Sequence, residues 1–367
     1  MSFNSLMITS ESINDGSESA AGSLDMLTWQ QVVGAKNYSN VLGSISDVCD
    51  EMKDEKNSEI YSLCKNVSKY DCHDAKVAYM MCQHSLYNRR NHPFLLCECH
   101  RGEGVTKKGH ICKLVSQSDQ VKRYERSLKR WNNKQQELAK GKRKDPCNVK
   151  DHMDWVDEHN IGISHFGIHP NKLIRSNIRF DVFHLRSAGT KWLMNRLRHH
   201  MRQQKVDISE RFTDLLACIW KKHNVKVWKH RKKLGSLQGE AVKAFVTNTD
   251  KIIAFLKKEF EETERINTMC ESLTLWAKIC KFINITKVED EDAYLQSMDE
   301  FEEHVKKFYE NGRNWFLTKK NDGDDETFYM HAIRFYMPSI ARRTYNDHKC
   351  GLGIFTMQGF ERRNKET

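Results

Sequence analysis

Two stretches close the chain: YMHAIRFYMP at residues 329–338 and GLGIFTMQGFERRNK at residues 351–365. The first is an apolar run that predicts a helix. The second is a glycine-rich approach to one carboxylate, Glu361, set among arginine and lysine side chains. By itself this pattern favours a basic, solvated helix with a single acid. Whether Glu361 is a functional residue therefore depends on the other acids and metal-binding residues in the chain.

The bulk composition favours a helix-rich protein with a polyanionic partner. The 367 residues suffice for one large domain with an insertion or for two domains, and only four of them are proline. The net charge of +11 favours DNA as the partner over a small-molecule substrate. No signal peptide and no apolar run of about eighteen residues is found, so we expect no membrane partner. The expected location is the nucleus, with the cytoplasm as the alternative. A second copy of the chain, forming a homodimer, is a further candidate partner.

One region of the sequence clusters cysteine with histidine. It reads PFLLCECHRGEG at residues 93–104 and KGHIC at residues 108–112. Zinc binds thiolate and imidazole tetrahedrally, and a short glycine-containing loop lets two ligand pairs close around it. We predict a structural zinc held by Cys97, Cys99, His110 and Cys112, with His100 as a substitute ligand. The alternative is a loop with two incidental buried cysteines.

Residues 183–326 are predicted to form an all-helical block. Apolar residues recur every three to four positions, as an amphipathic helix requires. The first stripe comprises Leu185, Trp192, Leu193, Leu197 and Met201. An NDGDD turn at residues 321–325 separates this block from the closing segment.

Two further motifs contain acids. YDCHDAKVAYMMC at residues 70–82 places Asp71 and Asp74 before an apolar run, and alone it favours an aspartate that caps a helix. Downstream, Asp181 precedes His184 by three residues. We expect Asp181 to cap a helix starting at Val182, with His184 bonding back to it. Direct contact with an active site is the alternative.

The order of these motifs resembles that of DDE-type cut-and-paste DNA transposases, among them the hAT, Kolobok and KDZ groups. The matching positions are Asp74 or Asp71, Cys97 with Cys99, Asp181 with His184, and Glu361. The resemblance covers about residues 40–367. It implies an α/β fold in which an incomplete RNase H-like core is interrupted by a large all-α insertion, so that the protein is helix-dominated overall.

The resemblance also implies a chemistry. In such enzymes two divalent cations between carboxylates activate the nucleophile and stabilise the leaving oxygen during DNA strand cleavage. Asp74, Asp71 and Glu361 would be catalytic, and Asp74 and Glu361 would bind Mg²⁺ or Mn²⁺ in a competent enzyme. The family's first catalytic aspartate has no counterpart, so we expect the N-terminal part of the core to be missing. The expected function is a DNA-binding remnant with little or no turnover.

The alternative function is a non-enzymatic, zinc-stabilised helical scaffold that binds nucleic acid or protein. Either function would use a basic segment, in which Lys122, Arg123, Arg126, Lys129 and Arg130 are predicted to line a DNA phosphate-binding face. A solvated helix face is the other interpretation of these cations.

The motifs predict a division of the chain into five parts. These are a disordered lead (1–27), a partial core with the metal loop (28–118), a basic linker and return to the core (119–182), the helical insertion (183–326) and a closing core helix with the final acid (327–367).

Overall fold

The structure is a computed structural model that describes most of the second half of the chain and parts of the first. The described residues are 2–7, 26–32, 71–73, 96–97, 99, 111–141, 178–204, 206–225, 229–230, 233–234, 239–315 and 327–356. Among them helices dominate, as the sequence predicts. The chain divides into two units, residues 1–180 and residues 181–367.

Among its described residues, the first unit contains two strand pairs and one long helix. Strands β1 (Ser2–Met7) and β2 (Met26–Val32) pair antiparallel. Strands β3 (Asp71–His73) and β4 (Ile178–Phe180) pair parallel, and helix α1 spans Gln117–Ala139. Strand β1 lies within residues 1–27, for which the sequence predicts a disordered lead, and the predicted division of the chain stays a prediction.

The second unit is built from eight α-helices among the described residues. They are α2 (Val182–Gln204), α3 (Val206–Lys222), α4 (Gly239–Thr247), α5 (Thr249–Glu259), α6 (Glu264–Ile283), α7 (Glu291–Trp315), α8 (Phe328–Phe335) and α9 (Met337–His348). A short hairpin of β5 (Lys229–His230) and β6 (Lys233–Leu234) interrupts the predicted all-helical block. None of the described helices is long and apolar enough to cross a membrane.

The core of the second unit centres on Trp276 of α6. Its ring is 1% exposed and lies 5.5 Å from the ring of Phe308 on α7. Its indole Nε1 donates a hydrogen bond to Thr190 Oγ1 on α2 at 3.0 Å. A Cβ atom at Gly189 would approach the indole ring to 2.3 Å, so α2 passes this close to Trp276 only because residue 189 has no side chain.

The described part of the closing segment contains two helices, α8 and α9. Thr327 caps α8 by accepting a hydrogen bond from the backbone N–H of Met330 at 3.3 Å. Pro338 lies in the first turn of α9, where its missing N–H costs no helical hydrogen bond. The apolar run 329–338 is thus shared between α8 and the start of α9, and the closing helix predicted to carry Glu361 lies outside the described residues.

Two glycines of the closing stretch pack against the backbone that follows α6. The N–H groups of Gly351 and Gly353 donate to the carbonyls of Thr286 and Ile285, at 3.0 Å and 2.8 Å. A Cβ at Gly351 would lie 2.2 Å from the Ile285 carbonyl oxygen. Glycine is therefore required here by close backbone packing, which the sequence alone describes only as a glycine-rich approach.

The second unit is expected to become less stable at acidic pH because of the buried imidazole of His200. This side chain is 5% exposed on α2, and desolvation, followed by the positive charge of Arg265, lowers its pKa to about 4. Between pH ~6.5 and ~4 the unfolded state binds the extra proton, so stability decreases as pH falls, by roughly 2–3 kcal/mol. Urea unfolding of wild type and His200→Gln at pH 7 and pH 4.5 measures the difference. The control variant His199→Gln, at the exposed neighbouring position, should lose as much unfolding free energy between pH 7 and pH 4.5 as the wild type. An equal loss in His200→Gln would contradict the role assigned to His200.

Candidate metal centre

Three cysteines of the predicted metal loop come together in the first unit. Cys97 and Leu114 form an antiparallel bridge, and the N–H of Val115 donates to the Leu96 carbonyl at 2.9 Å. The bridge brings Cys97 beside Leu114, and the sulfurs of Cys97, Cys99 and Cys112 lie within 4.8 Å of one another.

The fourth potential ligand in the described part of the chain is His331 of α8. Its ligand atom and the sulfurs of Cys97, Cys99 and Cys112 all lie within 4.8 Å of one another. His331 is fully buried, with its ring centroid 4.7 Å from that of Phe335. The four residues form the Cys₃His cluster.

The structure thus brings together three of the four predicted zinc ligands. The predicted imidazole, His110, and its substitute, His100, lie outside the described residues. His331 was missed because it follows Cys112 by more than two hundred residues, far beyond any recognisable ligand spacing. The signal that could have found it is a histidine inside the apolar run 329–338, where a buried imidazole needs a polar partner or a metal.

Burial and crowding set the electrostatics of the Cys₃His cluster. Cys97 and Cys99 are both 3% exposed, and Cys112 is half-buried. Hydrogen bonds with Cys97 and Cys99, followed by desolvation, raise the pKa of Cys112 far above that of a free thiol. Three adjacent sulfurs cannot all carry negative charge without a compensating cation. A bound divalent metal would supply that charge and displace the thiol protons.

The donor set fits zinc. Zn–S bonds of ~2.3 Å in a tetrahedron separate the sulfurs by about 3.8 Å, which is compatible with the observed limit of 4.8 Å. Thiolate and imidazole select zinc over Mg²⁺, which prefers hard oxygen ligands. Because all four positions would be filled by protein, no coordination site remains for a substrate. The cluster is therefore suited to a structural metal.

The predicted catalytic carboxylates are only partly covered by the structure. Asp71 begins β3, whose partner across the parallel pair is Ile178, but nothing is described of its side chain. Asp74 and Glu361 lie outside the described residues. The Mg²⁺ site predicted for Asp74 and Glu361 therefore stays a prediction.

Asp181 and His184 meet at the start of α2. The Asp181 carboxylate, buried to 99%, accepts a hydrogen bond from the N–H of Phe183 at 3.0 Å. Its other oxygen contacts His184 Nδ1 one turn into the helix. These contacts are those of a helix-capping aspartate, which satisfies an N–H that the first turn leaves without a partner.

The predicted DNA-binding cations lie on α1. Lys122, Arg126 and Lys129 are exposed. The side chains of Arg123 and Arg130 belong to the same helix but are not described.

Comparison with known proteins adds no relative to this description. No model of a protein family matches the chain, and no curated protein matches it. The assignment of the metal centre therefore rests on the residues of the chain itself.

Proposed function

We propose that this chain is a zinc-stabilised DNA-binding protein of the DDE transposase type, with an RNase H-like core interrupted by its helical block. The observation that carries the proposal is the Cys₃His cluster. Its ligands come from residues 97–112 and from His331, which precede and follow the helical block in sequence. An interrupted core has this property, because its parts must meet in space although an insertion separates them in the chain.

The parallel strand pair supports the interrupted core. β3 and β4 are separated by about a hundred residues and pair in parallel, which is the pairing between crossover-connected strands of α/β proteins.

Charge supports DNA as the partner. The net charge of +11 gives the chain a field that attracts polyanions. The closed Cys₃His cluster supplies stability and leaves no position for chemistry at that metal. DNA binding, rather than catalysis at the zinc, is therefore the function that the described residues support best.

Zinc content and DNA binding test the proposal together. Purified protein is expected to contain one zinc ion per chain by elemental analysis. It should bind a 30-base-pair duplex in fluorescence anisotropy, with an affinity that falls steeply as salt is raised. Zinc-loaded, folded protein that does not bind DNA would overturn the proposal in favour of a zinc-stabilised protein-binding scaffold. Mg²⁺-dependent or Mn²⁺-dependent strand cleavage that is lost in Glu361→Ala would show a working enzyme instead of a remnant.

A further inference from the structure

Helix α1 carries a continuous row of exposed polar side chains along one side. We call this row the α1 stripe; its members are Lys122, Arg126, Lys129, Asn133, Gln136 and Lys140. Their spacing alternates between four and three residues, which keeps them on one side of a helix. The N–H of Lys140 donates to the Gln136 carbonyl at 3.0 Å, so the last member continues the helical turn.

The side of α1 opposite the stripe is buried near the start of the helix, so the stripe faces solvent there. Gln120 and Tyr124 are 4% and 8% exposed. At the start of the helix, Ser116 Oγ accepts a hydrogen bond from the N–H of Asp119 at 3.1 Å. Helix α1 is thus capped at its first turn and packed through Gln120 and Tyr124, and it presents the stripe to solvent on a regular helix.

The stripe is cationic. It holds two lysines and an arginine within its first eight residues, a further lysine at its end, two amides and no carboxylate. The ion pair of Lys122 with Asp119 at 3.9 Å joins two exposed groups and therefore contributes little. The carboxylates of Glu125 and Glu137 fall to either side of the row, so the favourable surface for a polyanion is narrow and follows the helix axis.

The dimensions of the stripe match duplex DNA. Eighteen residue steps at 1.5 Å give a length of about 27 Å, close to one turn of B-DNA at ~34 Å. A major groove ~12 Å wide admits a helix, and lysine, arginine and amide side chains are the usual donors to phosphate oxygens. We propose that the α1 stripe lies along duplex DNA and binds its phosphates, an inference that rests on the proposed function above.

A charge-matched pair of variants tests this. The stripe variant is Lys122→Gln/Arg126→Gln/Lys129→Gln, which keeps residues of good helix propensity. The control variant is Lys243→Gln/Lys257→Gln/Lys258→Gln, which removes three exposed cations from α4 and α5. Zinc-loaded full-length proteins are titrated onto a 30-base-pair duplex by anisotropy from 50 to 300 mM KCl. Circular dichroism checks that helix content is unchanged.

The stripe variant is expected to bind at least about tenfold more weakly at 100 mM salt. The slope of log affinity against log salt should decrease by about 2.7, because each lost phosphate contact contributes about 0.9. The control should change both quantities much less. Equal losses of DNA affinity in both variants would overturn the proposal that the α1 stripe binds DNA, while leaving DNA binding as the function. Absence of DNA binding by the wild type would overturn both proposals.

Discussion

Replacing His331 with alanine is expected to weaken zinc binding about a hundredfold. Structural zinc contributes roughly 10–16 kcal/mol shared by four ligands, so one ligand corresponds to about 3 kcal/mol. The four potential ligand atoms lie within 4.8 Å of one another, and the imidazole is fully buried, so its removal leaves a coordination position inside the protein without this ligand. Competition with a chromophoric chelator measures the zinc affinity directly.

Three control variants separate ligand loss from unfolding. His331→Cys restores a zinc ligand and should recover much of the affinity, which a merely structural role of the imidazole would not allow. His110→Ala tests the ligand predicted from sequence and should retain zinc. Cys218→Ser changes an exposed cysteine of α3 and should also retain it. Wild-type zinc affinity in His331→Ala together with its loss in His110→Ala would reverse the assignment.

Replacing Trp276 with alanine is expected to destabilise the protein by about 3–5 kcal/mol. The change empties the centre of the second unit, where the indole contacts α2 at Gly189 and lies against Phe308 of α7. It also removes the donor to Thr190 Oγ1. Urea unfolding followed by circular dichroism gives the free energy of unfolding, and Lys278→Ala on the exposed side of α6 serves as the control.

A double-variant cycle tests the packing at this crossing. Gly189→Ala alone should destabilise the protein, since its Cβ would meet the indole at 2.3 Å. In the Trp276→Ala background the same methyl group enters the space left by the indole, so its cost should largely disappear. Additive effects of the two changes, or a loss below ~1 kcal/mol for Trp276→Ala, would contradict the described core.

The helical second unit could be predicted because its signal is local. Leu193, Leu197 and Met201 follow the period of one helix, and all three are fully buried. The strand pairs could not be predicted in the same way. β3 has three residues, and its partner lies about a hundred residues away, so neither strand has a periodic pattern long enough to identify it.

The glycines show a similar division. The sequence shows Gly351 and Gly353 only as part of a glycine-rich stretch. A side chain is excluded at both positions because it would meet the backbone carbonyls that directly follow α6. Gly189 carries no sequence signal at all, because the indole that excludes a side chain there is 87 residues away. In both places the constraint is a steric contact between distant segments, which composition cannot express.

The residues of the candidate metal centre also differ in whether the sequence alone could predict them. Cys97, Cys99 and Cys112 are close in sequence, so the chemistry of thiolates and the reach of a short loop were enough to identify them as candidate ligands. His331 becomes a candidate only because it lies near the three sulfurs, since coordination depends on distance in space and not on spacing in the chain. Residue types and local periodicity thus determined the candidate thiols and the helices, whereas only the tertiary structure decided which described imidazole lies beside the thiols.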